Sequence, residues 1–132
     1  MKAHFKDLEY EVKPSSDTRK RVCLALDLKD QTDLIGEYKR YHSRNGIWKE
    51  INEGIKHAGI QVMDIYNIDN RLFMICELKA DSDFDQIWSA VGTYSRQTDW
   101  AELMATFQQA LPGHKLEWIK MERVFTLYDF KE

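Results

Sequence analysis

The 132-residue sequence has few cysteines and no long apolar segment, and both absences narrow the classes of protein to which it can belong. Its two cysteines, Cys23 and Cys76, lie far apart inside apolar stretches, without the close spacing of a metal site or a disulfide framework, so we expect both to be reduced core residues. No apolar run is long enough to cross a bilayer. The first twenty residues lack the apolar core and cleavage site of a secretory signal, so we expect a cytoplasmic protein.

Charge and motif content exclude further classes. There are 19 basic and 22 acidic residues, giving a net charge of −3, and the basic residues are spread along the chain, so nucleic acid is not an expected partner. The sequence has no glycine-rich phosphate loop and no CxxC, HExxH or GxSxG motif, which removes the usual support for nucleotide hydrolysis, zinc hydrolysis and α/β-hydrolase chemistry. The four histidines are widely scattered, and none has a second histidine or cysteine at ligand spacing on the same element, so a metal is not implied.

Length and hydrophobic content indicate one globular domain. A chain of 132 residues, 43% of them hydrophobic, can bury one core but not two independent ones. The first twenty residues alternate only weakly and end near the turn-forming run 14–17, so we expect residues 1–20 to be a flexible N-terminal extension or a peripheral strand. Residues 21–132 then form the single domain.

Apolar periodicity predicts two helices after the first strand. The run Arg21–Leu28 is apolar on both faces, which is typical of a strand that is covered on each side. Helical spacing of the apolar residues that follow predicts one helix from about Thr32 to about Ser43. A second helix then ends at Gly59, which acts as its C-terminal cap.

A hairpin, two more helices and a closing strand complete the pattern. Ile60–Ile68 and Arg71–Leu78 are rich in β-branched and aromatic residues, and the Asp69-Asn70 pair between them has the chemistry of a two-residue hairpin turn. Two helices follow, the second ended by Pro112, and alternation predicts a last strand over Leu116–Tyr128.

The order strand, helices, strand, strand, helices, strand predicts an α+β fold of the ferredoxin-like, split βαβ type, in which helices cover one face of an antiparallel sheet. The other face also needs a cover, because the strands carry apolar residues on both faces. The residues that indicate this, taken together with their alternates and the last strand, are Val22, Leu24, Leu26, Leu72, Met74 and Cys76. A second copy of the sheet is the simplest cover, so we expect a homodimer that closes an α+β barrel.

One group of residues has suitable chemistry for a site. Tyr38 and His42 are one helical turn apart, so the phenol and the imidazole face the same space. On an amphipathic helix such a pair is more often structural than functional, and the spacing alone leaves both interpretations open.

A family resemblance favours the functional interpretation. The block Glu37–Trp48, with its Glu-Tyr-x-x-x-His run leading to Ile-Trp, the hairpin Gly59–Leu78, the helix around Trp100 and the closing Met121–Phe125 resemble, in this order, the L-rhamnose/L-fucose mutarotase family. The resemblance covers nearly everything after the first twenty residues. The Leu-Asp-Leu-Lys-Asp run and the Trp-x-x-Leu-Met-x-x-Phe-Gln run are more similar to the L-fucose branch, so we expect L-fucose rather than L-rhamnose as substrate.

The resemblance also implies residue roles. It implies an isomerase that interconverts sugar anomers as a dimeric ferredoxin-like barrel without metal or cofactor, in which His42 donates the proton while Tyr38 and Trp100 bind the sugar. The rhamnose branch has a tyrosine where this chain has Met63 and a second tryptophan where it has Ala101. We therefore expect Met63 at the substrate site and a sugar preference that differs from that of the rhamnose branch.

Acid–base chemistry is sufficient for this reaction. Anomers exchange when the hemiacetal opens, which requires removal of the anomeric hydroxyl proton and protonation of the ring oxygen. Imidazole, with an ordinary pKa of about 6.5, suits both steps. Trp100 would stack on the apolar face of a pyranose, although core packing explains its helical spacing equally well. The group opposite His42 stays open among four polar residues of apolar strands: Asp64, Glu77, Glu122 and Arg123.

Two other functions also stay open. The same architecture could serve a cofactor-independent oxygenase or a haem-degrading enzyme, with His42 or His57 as base or iron ligand. It could also serve a non-catalytic ligand-sensing or oligomerisation module, which the missing DNA-binding segment makes the weaker interpretation.

Overall fold

A computed structural model describes residues 8–12 and 18–127. In chain order the elements are β1 (Arg19–Leu28), α1 (Thr32–Tyr41), α2 (Lys49–Ala58), β2 (Val62–Ile68), β3 (Arg71–Lys79), α3 (Phe84–Val91), α4 (Gln97–Ala105), β4 (Gln108–Gln109) and β5 (Ile119–Lys120). None of the helices in these two ranges is both long and apolar enough to cross a membrane.

The strands form one antiparallel sheet in the order β2-β3-β1, and the free edge of β1 is shared by two short strands. β4 pairs with β1 at Asp27 and Leu28, and β5 pairs with it at Leu24 and Ala25. The long hairpin of β2 and β3 has the predicted turn, with Asp69 at a φ of 51°. This topology confirms the predicted ferredoxin-like α+β fold.

The core lies between one face of the sheet and the four helices. Side chains that pair across β1 and β3, such as Leu24 with Met74 and Leu26 with Leu72, point to the same side because strand side chains alternate between faces. Residues of all four helices pack against this side. Each fully buried leucine contributes about 1.5–3 kcal/mol of hydrophobic free energy, so this layer supplies most of the stability of the fold.

The alternate residues of β1 and β3 form the opposite side of the sheet, which we call the outer face. Its centre is apolar and consists of the pairs Cys23 with Ile75 and Ala25 with Phe73. Ion pairs lie at both ends of this apolar centre. At one end, Arg71 Nε lies 2.7 Å from Asp27 Oδ1. At the other end, Arg19 and Arg21 both contact the Glu77 carboxylate, at 3.3 and 2.7 Å. The six residues that were named as evidence for a second apolar face all lie on the helix-facing side, and it is their alternates that form the outer face.

Helix ends follow local chemistry. α2 ends at Gly59, whose φ of 117° is a left-handed conformation that favours glycine, as predicted. α3 begins after Asp83, whose carboxylate accepts a hydrogen bond of 3.1 Å from the backbone N–H of Gln86.

Two predicted elements are shorter than expected. α4 ends at Ala105, well before Pro112, because the N–H groups of Thr106 and Phe107 close tight turns onto the Leu103 and Met104 carbonyls and the chain then enters the sheet as β4. The predicted last strand Leu116–Tyr128 is reduced to two strand residues at 119–120, and residue 128 lies outside the described residues.

The predicted N-terminal extension has two described parts. β1 begins at Arg19, so the strand takes in the last two residues of the predicted 1–20 segment. Within residues 8–12, the ring of Tyr10 meets the ring of Tyr66 on β2 edge to face, with 6.0 Å between centroids. Residues 1–7 and 13–17 lie outside the described residues, and the division into an extension and one domain stays a prediction.

Candidate functional site

A large cavity lies between the helix-facing side of the sheet and the helices. Its volume is about 1390 Å³. Its wall includes residues of β2, β3 and all four helices, and residues of the segments 8–11 and 116–118. Typical small-molecule sites occupy roughly 300–1,000 Å³, so a monosaccharide fits with room to spare. All four residues predicted for the site border this cavity: Tyr38, His42, Met63 and Trp100.

His42 follows the last turn of α1 and has one ring nitrogen engaged. Its Nδ1 lies 2.7 Å from the backbone carbonyl oxygen of Tyr38. Because a carbonyl can only accept, Nδ1 carries the proton and donates it, and the neutral ring keeps its lone pair on Nε2. Burial lowers the pKa of His42, and the hydrogen bond to the Tyr38 carbonyl opposes this only in part. At neutral pH the imidazole is therefore uncharged, with Nε2 able to accept a proton.

Tyr38 is almost fully buried beside this imidazole. Its ring stacks on that of His42, with 4.1 Å between centroids and 29° between planes. Burial raises the pKa of Tyr38 far above its ordinary value, so the hydroxyl keeps its proton and cannot act as a base near neutral pH. The side chain of Gln108 hydrogen-bonds to the phenol and opposes this rise, which is the effect of a donor. The phenol's own proton is then available to a substrate oxygen.

Trp100 is held by a cluster of aromatic rings. Its ring meets those of Trp48, His42 and Tyr41 edge to face, with centroids 5.1, 5.4 and 6.2 Å apart. The guanidinium of Arg96 lies 3.8 Å from the centre of the Trp48 ring, which is a cation–π contact. These contacts fix the orientation of Trp100 at the cavity and put its indole next to the imidazole.

Comparison with known proteins shows the family. The model of the L-rhamnose mutarotase family matches residues 21–127, which is most of the chain. The chain belongs to this family. An L-fucose mutarotase from Xanthomonas campestris is 33% identical over 109 residues, covering 81% of this chain and 87% of the relative. A UPF0734 protein from Dictyostelium discoideum is 35% identical over 119 residues, covering 86% of this chain and 94% of the relative.

A solved structure supports the fold. The crystal structure of an L-rhamnose mutarotase from Formosa agariphila has a TM-score of 0.60 to this chain at 21% identity, covering 83% of this chain and 99% of that one. The resemblance to a rhamnose/fucose mutarotase family predicted from the sequence is thus confirmed, and membership in a mutarotase family makes this chain an isomerase.

The four candidate partners of His42 are not equivalent in this family member. Asp64 borders the cavity, but strand alternation puts its side chain on the opposite face of β2 from Met63. Glu77 is occupied by two arginines on the outer face, and Glu122 and Arg123 are exposed beyond β5. None of the four is therefore placed to act directly opposite the imidazole.

His57, the alternative histidine, is exposed on α2 and stacks on the ring of Tyr94 at 6.3 Å. It does not border the cavity of this mutarotase-family chain. The family match favours an isomerase over the oxygenase, haem-degrading and sensing interpretations.

Sequence reasoning missed two glutamines that border the mutarotase-family cavity, Gln97 and Gln108. Glutamine is usually exposed, so its presence alone gave no signal. For Gln97 a signal existed: it precedes Trp100 by three residues, which places both side chains on one face of α4. For Gln108 there was none, because the sequence pattern predicted a helix where the chain forms β4.

Proposed function

We propose that this chain is a sugar mutarotase that interconverts the α and β anomers of a 6-deoxyhexose, with L-fucose preferred over L-rhamnose. The observation that carries the proposal is the state of His42: an uncharged imidazole at the cavity wall whose Nδ1–H is bonded to a backbone carbonyl, so that Nε2 is the reactive nitrogen. A base that becomes an acid once it has taken a proton is what ring opening and closure require.

The reaction proceeds through an open-chain aldehyde. Nε2 of His42 takes the proton of the anomeric hydroxyl, that oxygen forms the carbonyl double bond, and the bond between the anomeric carbon and the ring oxygen breaks. The released ring oxygen takes the proton back from the imidazolium. After rotation about the bond next to the aldehyde, the same transfers in reverse close the ring on the other face. No proton or electron is lost or gained overall.

Tyr38 and Trp100 bind and orient the sugar in this proposal. The Tyr38 hydroxyl accepts from Gln108 and donates its own proton to a sugar oxygen near the imidazole. Trp100 offers its indole surface to the C–H groups of the pyranose. Met63, which borders the cavity on β2, contributes an apolar contact, where the rhamnose branch is expected to have a hydrogen-bonding tyrosine.

The preference for L-fucose is supported by the 33% identity to an L-fucose mutarotase and by Met63 and Ala101. Saturation-transfer NMR on the anomeric protons of both sugars tests it, because the transfer reports exchange through the open chain. We expect faster exchange for L-fucose at equal concentrations. A higher kcat/KM for L-rhamnose would reverse the assignment and leave the reaction unchanged.

We further propose that two copies pair through their outer faces to form a homodimer. The centre of the outer face is apolar, and three residues after β5 also expose apolar side chains: Val124 at 89%, Phe125 at 75% and Leu127 at 75%. Exposed apolar side chains of this kind are typical of an interface. Light scattering coupled to size exclusion should give about twice 15.7 kDa. Ile75→Asp should give the monomer mass, and a wild type that runs as a monomer would exclude the dimer.

The predicted cytoplasmic location is kept as part of the proposal. Its support is the expected substrate class, a free monosaccharide. Cell fractionation, with recovery in the cytosolic fraction as the expected result, tests it.

A further inference from the structure

Gln97, the first residue of α4, occupies an unusual position for a glutamine. Only 6% of its surface is exposed, and it belongs to the cavity wall together with Trp100, one helical turn further along α4. Buried polar side chains are retained where their hydrogen-bonding groups have partners. Both ends of the amide, the nitrogen Nε2 and the oxygen Oε1, therefore need a hydrogen-bonding partner.

The amide nitrogen of Gln97 is anchored on α2. Gln97 Nε2 donates a hydrogen bond of 3.1 Å to the backbone carbonyl of Ile51 and lies 3.5 Å from the carbonyl oxygen of Glu50. Turning the amide over would bring Oε1 against these two oxygens, so the orientation of the amide is fixed. α2 comes this close because residue 54 is glycine: a Cβ there would lie 2.7 Å from Gln97 Nε2.

The amide oxygen, Oε1, then points away from the carbonyls of α2. An amide oxygen accepts hydrogen bonds and cannot donate them, and it carries no net charge. An acceptor of this kind suits a neutral hydroxyl donor and disfavours an anion. Because Nε2 is already held by the Ile51 carbonyl, Oε1 needs no reorganisation when a ligand binds, which is the condition for a selective contact.

We propose that Gln97 is a specificity-determining residue of this site, whose Oε1 accepts a hydrogen bond from one hydroxyl group of the bound sugar. The inference rests on the proposed mutarotase function and deepens it. It assigns the recognition of one sugar hydroxyl to α4, beside the indole of Trp100 and separate from the proton transfer at His42.

The experiment compares L-fucose with three analogues that lack the hydroxyl at one ring carbon, the second, third or fourth. Each sugar is measured with the wild type and with Gln97→Met, which keeps the length of the side chain and removes both amide groups. Two readouts are taken: the KM and kcat of anomer exchange by saturation-transfer NMR, and the Kd from an NMR titration, which does not depend on exchange. Thermal unfolding reports whether each variant is folded.

We expect one analogue to bind the wild type about threefold to tenfold more weakly than L-fucose, as for the loss of one hydrogen bond, with kcat little changed. In Gln97→Met this difference should disappear, because the partner of the missing hydroxyl is gone. If Gln97→Met does not fold, Gln97→Asn withdraws the amide by one methylene and should also lose the discrimination.

Other results overturn the inference. If the variant weakens all sugars equally and keeps the ranking of the analogues, Gln97 is only a brace between α2 and α4. A wild type that binds the sugars without exchanging them refutes the proposed reaction but still allows the ranking, and thus Gln97, to be tested. A wild type that neither binds nor exchanges them refutes both.

Discussion

Replacing Tyr38 by phenylalanine separates two functions that meet at this residue. The hydrogen bond that orients His42 ends on the backbone carbonyl of Tyr38, at 2.7 Å, and not on the phenol. The ring that stacks on the imidazole is also retained in phenylalanine. Tyr38→Phe therefore removes only the hydroxyl and leaves both the proton position and the surroundings of His42 as they are.

The expected magnitudes follow from that hydroxyl. Its hydrogen bond with Gln108 contributes about 0.5–1.5 kcal/mol to stability, so the free energy of unfolding should fall by that amount. Loss of one substrate hydrogen bond should lower kcat/KM roughly tenfold, which corresponds to about 1.4 kcal/mol. The midpoint of the pH–rate profile should not change, because the pKa of His42 depends on burial and on a backbone carbonyl.

The assay is saturation-transfer NMR on L-fucose from about pH 5 to about pH 8, where an imidazole titrates. Urea denaturation of the same samples gives the stability. Two results would refute the reasoning: a shifted pH midpoint in Tyr38→Phe, or a loss of exchange as complete as that of a variant without the imidazole. Either would mean that the phenol takes part in the proton transfer.

Three further predictions concern pH, sugar binding and packing. Burial holds the pKa of His42 below its ordinary value, so exchange should be maximal at neutral pH and fall on acidification, with a midpoint in kcat/KM below about pH 6.5. For the same reason, the contribution of His42 to folding stability should be fully present above about pH 6.5 and be lost as pH falls through the lower folded pKa. Unfolding curves of His42→Ala should show less of this loss. Trp100→Ala should raise the Kd for sugar in an NMR titration about tenfold with the fold retained, since the indole supplies the stacking surface, and an unchanged Kd would place the sugar elsewhere. Gly54→Ala should lower the free energy of unfolding by about 1–3 kcal/mol, because its Cβ would lie 2.7 Å from Gln97 Nε2 and 2.9 Å from Tyr94 Cβ. A neutral effect in urea denaturation would mean that α2 and α4 move apart freely.

The elements that could be predicted are those whose signals are local. The hairpin of β2 and β3 has a two-residue turn at Asp69, and α2 ends at a glycine with positive φ, so each boundary is determined by residues at the boundary itself. The pairing of Tyr38 with His42 was equally accessible, because one helical turn fixes their relative position.

The features that could not be predicted depend on competition between distant segments. The apolar spacing of α4 continues through Phe107, but Lys29 and β1 take up the backbone of residues 107–109 and end the helix. The alternation of residues 116–128 predicts a strand, yet a strand also needs a free edge, and the edge of β1 is shared between β4 and β5. The anchoring of Gln97 on Ile51 likewise depends on how α2 and α4 pack.

The central claim is that one imidazole moves the proton, and a comparison of two histidine variants tests it most directly. His42→Ala removes the ring at the cavity, and His57→Ala removes a ring that is exposed on α2. Saturation-transfer NMR on L-fucose should show exchange reduced about 100-fold or more in His42→Ala, the range of a lost general acid–base group, and unchanged in His57→Ala. Wild-type exchange in a folded His42→Ala protein would contradict the account.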